Sequence, residues 1–439
     1  MRRSLSALAL VLLPAAAAAQ VPGSSTRALG MGNAYSALAR GYEAIAWNPA
    51  LLASTHGYGV TVGLPQVSGE FGDNAWSISD FLTYRDQYLT DADKQYLLGR
   101  VVNDDSTLQA RAAFGANALA FSVGSFAFSF SSSGYVQAQA SREAVDLALN
   151  GNAGYVNTGN FFDLAGSGGR GWAASTLAGS YAMFFPTSMG RLNAGVTVKK
   201  VWGNFLGLAQ DDGSHVGTDT VDATGQVIYT DYPQGNFGGL ADIVGRAPGS
   251  GFGVDLGGAL ELNDRLTVSV ALINAVSTMS WKDDRLRYER AFYTVSLGGS
   301  GIVRDTTADS VLTGAAIAQD PQAVALRDSM LAISGYARLL RGGVAYRIAG
   351  FLLGGDVQMR LSRGLDRHSD FVVGGGAEYV VAGFLPLRAG FRTDFQKTTA
   401  ITAGTGLRLG PVALDVGGAA IMGSTHPGVI AGAGLSLFF

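Results

Sequence analysis

Between Leu385 and Phe395 the chain reads LPLRAGFRTDF, and its side chains sort by parity. Leu385, Leu387, Phe391 and Phe395 share one face of an extended strand, and Arg388, Arg392 and Asp394 share the other. The rule recurs upstream and downstream. Leu353, Val357, Met359 and Leu361 oppose Asp356, Gln358 and Arg360; Val254, Leu256, Leu260 and Leu262 oppose Asp255 and Glu261; Val412, Leu414 and Val416 oppose Asp415. A period of two belongs to strands, not to helices, which repeat every 3.6 residues. Strands with charges on one face only need two environments, one apolar and one wet. A soluble sandwich turns the apolar face inward, and a membrane barrel turns it outward around a polar interior.

Composition favours the barrel. Charged residues make up 15% of the 439 positions and mean hydropathy is +0.20, whereas soluble domains average about a quarter charged. No segment after the leader has the ~20 uninterrupted apolar residues of a spanning helix. A closed barrel satisfies every backbone group between strands. A formal net charge of −3 argues against a nucleic-acid partner, which calls for a basic face. With no cysteine there is no disulfide, thiolate nucleophile, Cys-ligated metal or lipoprotein anchor. Residues 1–19 read as a signal peptide: Arg2 and Arg3, then ALALVLLP, then AAAAA, with cleavage expected after Ala19.

Alternation predicts strands near 57–70, 107–122, 125–137, 172–185, 190–203, 250–262, 265–281, 334–349, 351–362, 369–382, 385–396, 399–410, 411–422 and 429–439. The run 287–299 would make the count odd, and bacterial single-chain barrels have even counts. It is therefore assigned to an outer-loop hairpin turned at residues 282–285, KDDR. The short links then fall on one side, and the long ones, near 71–106, 138–171, 204–249 and 282–333, on the other. The expected fold class is all-β: a transmembrane antiparallel β-barrel of about 14 strands over 57–439, preceded by a segment at 20–56 that does not alternate. Thr90 and Asp93 read as a capping box, and Asp320-Pro321 as N-cap and first turn, so short helices are expected in the outer loops.

The interior face carries Lys199, Asp255, Arg341, Arg347, Asp356, Arg360, Glu378, Arg388, Arg392, Asp394, Arg408 and Asp415. Both signs are present in similar number. That suggests a cross-braced lumen rather than an ion-selective pore, which would favour one sign.

The non-alternating segment contains Arg27-Ala28-Leu29-Gly30-Met31-Gly32-Asn33-Ala34 and then Glu43-Ala44-Ile45-Ala46-Trp47-Asn48-Pro49-Ala50. This pattern resembles the N-terminal hatch of the FadL-type outer-membrane transporters and the related PorV-type barrels. It departs from them at Asn33, where glycine is common, and at Leu51-Leu52-Ala53, as expected of an uncharacterised branch. The resemblance implies a hatch inside the lumen. Gly30 and Gly32 would allow close approach to the wall, Asn48 would cap a short helix begun by Pro49, and Trp47 would wedge against the barrel. The terminal Phe439 on an alternating strand resembles the signal read by the outer-membrane barrel assembly machinery.

The resemblance also implies passive transport of hydrophobic, long-chain-fatty-acid-like small molecules across the outer membrane, with a sideways exit through the wall into the lipid bilayer. Ser131-Ser132-Ser133-Gly134 interrupts the third strand's alternation and is the candidate lateral gap. The alternative is a PorV-like interaction barrel serving secretion or surface attachment. Catalysis is not expected. The four histidines, His56, His215, His368 and His426, show no metal spacing, and no GxSxG elbow is present. No cofactor or metal is implied.

Overall fold

The computed structural model describes residues 25–101, 107–152, 161–217, 220–231, 244–298, 301–305, 310–365, 369–395, 398–423 and 427–439. The expected signal peptide lies outside them. Among the described residues, fourteen strands pair antiparallel with their neighbours in sequence. They are β1 (Val60–Asp73), β2 (Thr107–Val123), β3 (Phe126–Ser141), β4 (Gly168–Thr187), β5 (Gly190–Asp211), β6 (Gly249–Glu261), β7 (Leu266–Trp281), β8 (Leu339–Ile348), β9 (Phe351–Arg360), β10 (Phe371–Val381), β11 (Leu385–Thr393), β12 (Thr398–Leu409), β13 (Val412–Gly423) and β14 (Gly428–Phe438). β14 pairs back onto β1, from Thr61 opposite Phe438 to Gly72 opposite Gly428, and the sheet closes.

Parity decides which way each side chain points. Leu387 and Phe391 are about half exposed on the outer surface, while Arg388 and Arg392 are buried inside. Leu414 and Val416 likewise face out. Lys200 departs from the rule: it is exposed on the outer face and bonds the Ser250 hydroxyl. Short turns join the strands at one end. At Ala349-Gly350 both residues have positive φ (48° and 84°), the backbone of the two-residue turn whose twist matches the flanking strands.

The other end carries the long connections. α3 (Ile78–Tyr84), α4 (Asp91–Gly99), α5 (Arg142–Asn150) and α6 (Pro321–Leu331) sit there, above the luminal helices α1 (Thr26–Gly30) and α2 (Ala44–Trp47). Thr90 caps α4 in a two-way box with Asp93, and Asp320 caps α6 with Pro321 in its first turn, as the sequence predicts. α3, which opens on a two-way box of Ser77 with Asp80, and α5, capped by Ser141, were not among the expected helices. In α3, burial pushes the Asp80 carboxyl up, but the Ser77 hydroxyl and amide outweigh it and hold the group below its ordinary value.

Two expectations for the loops are corrected. Leu286–Gly298 follows a tight turn at Asp283–Arg285, yet it does not fold back on β7; it pairs with a strand at Thr220–Thr230. The region 204–249 is therefore not simply loop. β5 overshoots the ring to Asp211, leaving an edge at Gly207–Asp211 that Thr220–Thr230 takes up. β6 begins only at Gly249, opposite Gly203, so β5 has no partner from β6 beyond that point. The result is a sheet flap that stands above the ring. α6 covers it through Ala323, Leu326 and Met330, against Ile228, Leu286 and Tyr288.

Residues 25–54 lie inside the ring. Met31, Tyr35, Leu38, Trp47 and Leu51 form an apolar cluster with small wall residues Ala127, Ala178, Ala182, Ala259 and Ala345. Alanines on the inner wall leave the room this segment fills.

Candidate functional site: the filled lumen and the cavity above it

The luminal segment is fastened to the wall by side chains from opposite sides of the barrel. Ser25 caps α1 by accepting from the Ala28 amide. Arg27 then reaches β10, where its Nε and Nη2 bond the two oxygens of Glu378 at 2.8 and 2.7 Å. Arg388 Nε (2.6 Å) and Arg408 Nη2 (3.1 Å) converge on the same carboxylate, and Arg388 Nη1 also meets Asp415 at 2.6 Å. Three guanidinium groups around a buried carboxylate make charge-assisted bonds that no neutral set would match.

Glycine permits the closest approaches. Gly32 sits at φ +65°, and a Cβ there would lie 2.3 Å from the Phe391 carbonyl oxygen. A Cβ on Gly30 would meet the Gly404 backbone at 3.0 Å. Thr402 stitches the pair to the wall, accepting from the Gly32 amide (2.9 Å) and donating to the Gly30 carbonyl (3.1 Å). Farther along, the amides of Tyr35 and Ser36 donate to one oxygen of Asp356 at 2.8 and 2.7 Å.

Asn48 and Pro49 open a 3₁₀ turn at Pro49–Ala53, with the Asn48 Oδ1 accepting from the Ala50 amide. The Asn48 Nδ2 donates outward to the carbonyls of Gly258 (3.1 Å) and Val270 (3.2 Å) on the wall. Trp47 meets Tyr35 edge-on at 5.6 Å and lies under the Arg341 guanidinium at 4.8 Å. Tyr42, which no local pattern singles out, lays its ring across Gly63, and its hydroxyl bonds Ser436 (2.6 Å) and Gln66 (2.5 Å).

The remaining interior charges form separate local groups rather than one brace. Lys199 pairs with Asp255 at 2.7 Å. Arg360 pairs with Asp370 at the upper rim. Asp394 accepts from the Thr398 amide and the Ser369 hydroxyl. Arg392 is buried beside the cavity, and Arg347 lies at the short-turn end.

Above the luminal segment is a cavity of about 660 Å³. Its floor includes Gly32 and Trp47, and its apolar surface includes Trp172, Leu206, Met330 and Leu365. Trp172 is locked by its indole N–H on the Leu365 carbonyl at 3.0 Å. Six arginines line it, Arg111, Arg170, Arg341, Arg360, Arg363 and Arg392, against three carboxylates, Glu70, Asp356 and Asp394. The Arg111–Glu70 pair at 3.0 Å uses one of each. The balance of signs expected for the whole interior therefore does not hold in the cavity, which is electropositive.

The wall is continuous at the candidate lateral gap. Ser131, Ser132, Ser133 and Gly134 are paired on both sides, opposite Asn117–Phe114 on β2 and Thr176–Ala173 on β4. Gly134 is there because the Phe114 ring lies over it; a Cβ would come 2.2 Å from that ring. The ladders are interrupted one and two strands away, with the register shifting between β2 and β3 and between β1 and β14. β2 carries an extra residue between Asn117 and Leu119, and on β1 the ladders to β2 and β14 both skip from Gly63 to Gln66. Pro65, in that skip, has no amide to donate, and Tyr42 stands directly behind it at Gly63.

The structure is similar to three solved barrels. The Ralstonia pickettii toluene transporter TbuX has 15% identity and TM-score 0.52, covering 95% of this chain and 99% of that one. A mutant of the TodX monoaromatic hydrocarbon channel has 13% identity and TM-score 0.51, covering 96% and 100%. The CymD monoaromatic hydrocarbon channel has 14% identity and TM-score 0.50, covering 96% and 99%. At these identities the likeness establishes the fold alone, a closed fourteen-strand antiparallel barrel. No curated protein matches the sequence. A family model described as a family of unknown function, DUF5723, matches residues 49–306, more than half of the chain. The chain belongs to that family, on a closed fourteen-strand barrel.

Proposed function

We propose that the protein is an outer-membrane barrel that passes hydrophobic small molecules with an anionic end, of the long-chain fatty-acid kind, without an energy source. The observation that carries this reading is the cavity. Its tryptophan, leucine and methionine surface suits an aliphatic tail, and its excess of arginine suits a carboxylate, which guanidinium groups bind in a two-pronged fork. The hydrocarbon-channel barrels it resembles support the transport class. The segment 25–54 acts as the hatch. It blocks the axis, so the ligand leaves sideways, and the exit is assigned to Leu64-Pro65, where the ladder is broken and Tyr42 is the stopper. The non-enzymatic reading rests on the same geometry, a ligand cavity whose charged groups are mostly cations.

Uptake of a fluorescent long-chain fatty acid, and of the matching neutral alcohol, into cells with and without the chain tests this. Faster uptake of the acid than of the alcohol is expected, with the preference lost in Arg341→Gln. Equal uptake with and without the chain would contradict it. The exposed Phe81, Leu82 and Tyr88 on the first outer loop favour the second reading, a barrel that holds a protein partner. That reading expects no uptake difference.

A further inference from the structure

The short-turn end of the lumen holds a second cationic group, apart from the cavity. Arg40 is 4% exposed. Its Nη1 donates to the carbonyls of Ala37 and Ala39, at 3.2 and 2.6 Å. Its Nε and Nη2 are buried with no acceptor. Arg347, two residues before the Ala349-Gly350 turn, likewise has a buried Nη1 with no acceptor. The two guanidinium groups are close enough to repel.

The carboxylate whose charge acts on both is Glu261, and its oxygens are taken. Oε1 accepts from the Thr55 amide and the Asn193 amide group, and Oε2 from the Thr55 hydroxyl and amide. Two cations thus present three buried guanidinium nitrogens without an acceptor. A buried donor left unpaired is destabilising, more so when charged, and mutual repulsion of like charges adds to that. An oxyanion accepts from several donors at once and cancels the repulsion.

We propose that Arg40 and Arg347 form an oxyanion site, for a carboxylate or phosphate, on the short-turn side of the luminal segment. It fastens that segment to β8 through the anion. The site does not depend on the transport reading, because it would bind its anion whether or not the barrel transports anything.

Crystals of the full protein soaked in bromide provide the test, read by anomalous scattering. A bromide peak within bonding distance of both guanidinium groups is expected in the wild type, and its loss in Arg347→Gln, a residue at the rim whose change leaves the buried Arg40 in place. Competing soaks with octanoate, acetate or inorganic phosphate should remove the peak. Displacement by the two carboxylates alone identifies a carboxylate, and displacement by phosphate alone identifies a phosphate group. Absence of a peak in the wild type, a peak untouched by Arg347→Gln, or a peak that none of the three oxyanions displaces would overturn the proposal.

Discussion

Gly32 shows how little freedom the lumen leaves. Its φ of +65° is one that L side chains rarely adopt, and the Phe391 carbonyl occupies the place of a Cβ. Gly32→Ala combines backbone strain of about 1–3 kcal/mol with a clash against main chain that cannot rotate away. Detachment of residues 25–54 is expected, with the barrel itself intact. Hydrogen exchange should show faster exchange at the Gly32, Tyr35 and Ser36 amides and little change in β10 to β13. Unchanged protection at those amides would contradict the role given to Gly32. Part of this was readable beforehand: Gly30, Gly32, Trp47, Asn48 and Pro49 stand out as a small-residue motif in a chain that otherwise alternates. The partners were not readable. Asp356 looks like one more interior charge, and only the fold brings it, more than 300 residues away, onto the amides of Tyr35 and Ser36. Tyr42 and Arg40 carry no local signal, because what distinguishes them is the register break and the unpaired donors beside them.

Among the elements, the barrel strands follow from local rules. A two-residue period and tight turns such as Ala349-Gly350 are written in consecutive residues, so strand positions and parity could be read directly. The flap could not, because its pairing depends on β5 being long enough to offer an edge and β6 starting late. Loop helix α4 gives a test at this scale. Hydrogen bonds from the Thr90 hydroxyl and amide hold Asp93 below the ordinary aspartate value. A depressed folded-state pKa contributes stability that is complete above about pH 4, the unfolded aspartate value, and is lost as pH falls through the lower folded value. The amide of Asp93 and the first turn of α4 should therefore exchange faster below pH 4, and Asp93→Asn should remove that pH dependence. A pH-independent first turn in the wild type would contradict the cap's role.

For the whole molecule, every functional statement rests on which face of the sheet meets lipid. The outer surface is a belt of half-exposed aliphatic and aromatic side chains. The inner surface holds Glu378 with its three arginines, Asp255 with Lys199, and the luminal segment between them. Neither face could be exchanged for the other without leaving those charges in hydrocarbon. Adjacent residues of β11 test this most directly. The wild-type tryptophans would be replaced by phenylalanine and a single tryptophan placed at Leu387 or at Arg388, with the protein in bilayers of brominated lipid. Strong bromine quenching at position 387 and weak quenching at 388 is the expected result. Equal quenching at both, or the reverse order, would contradict the account.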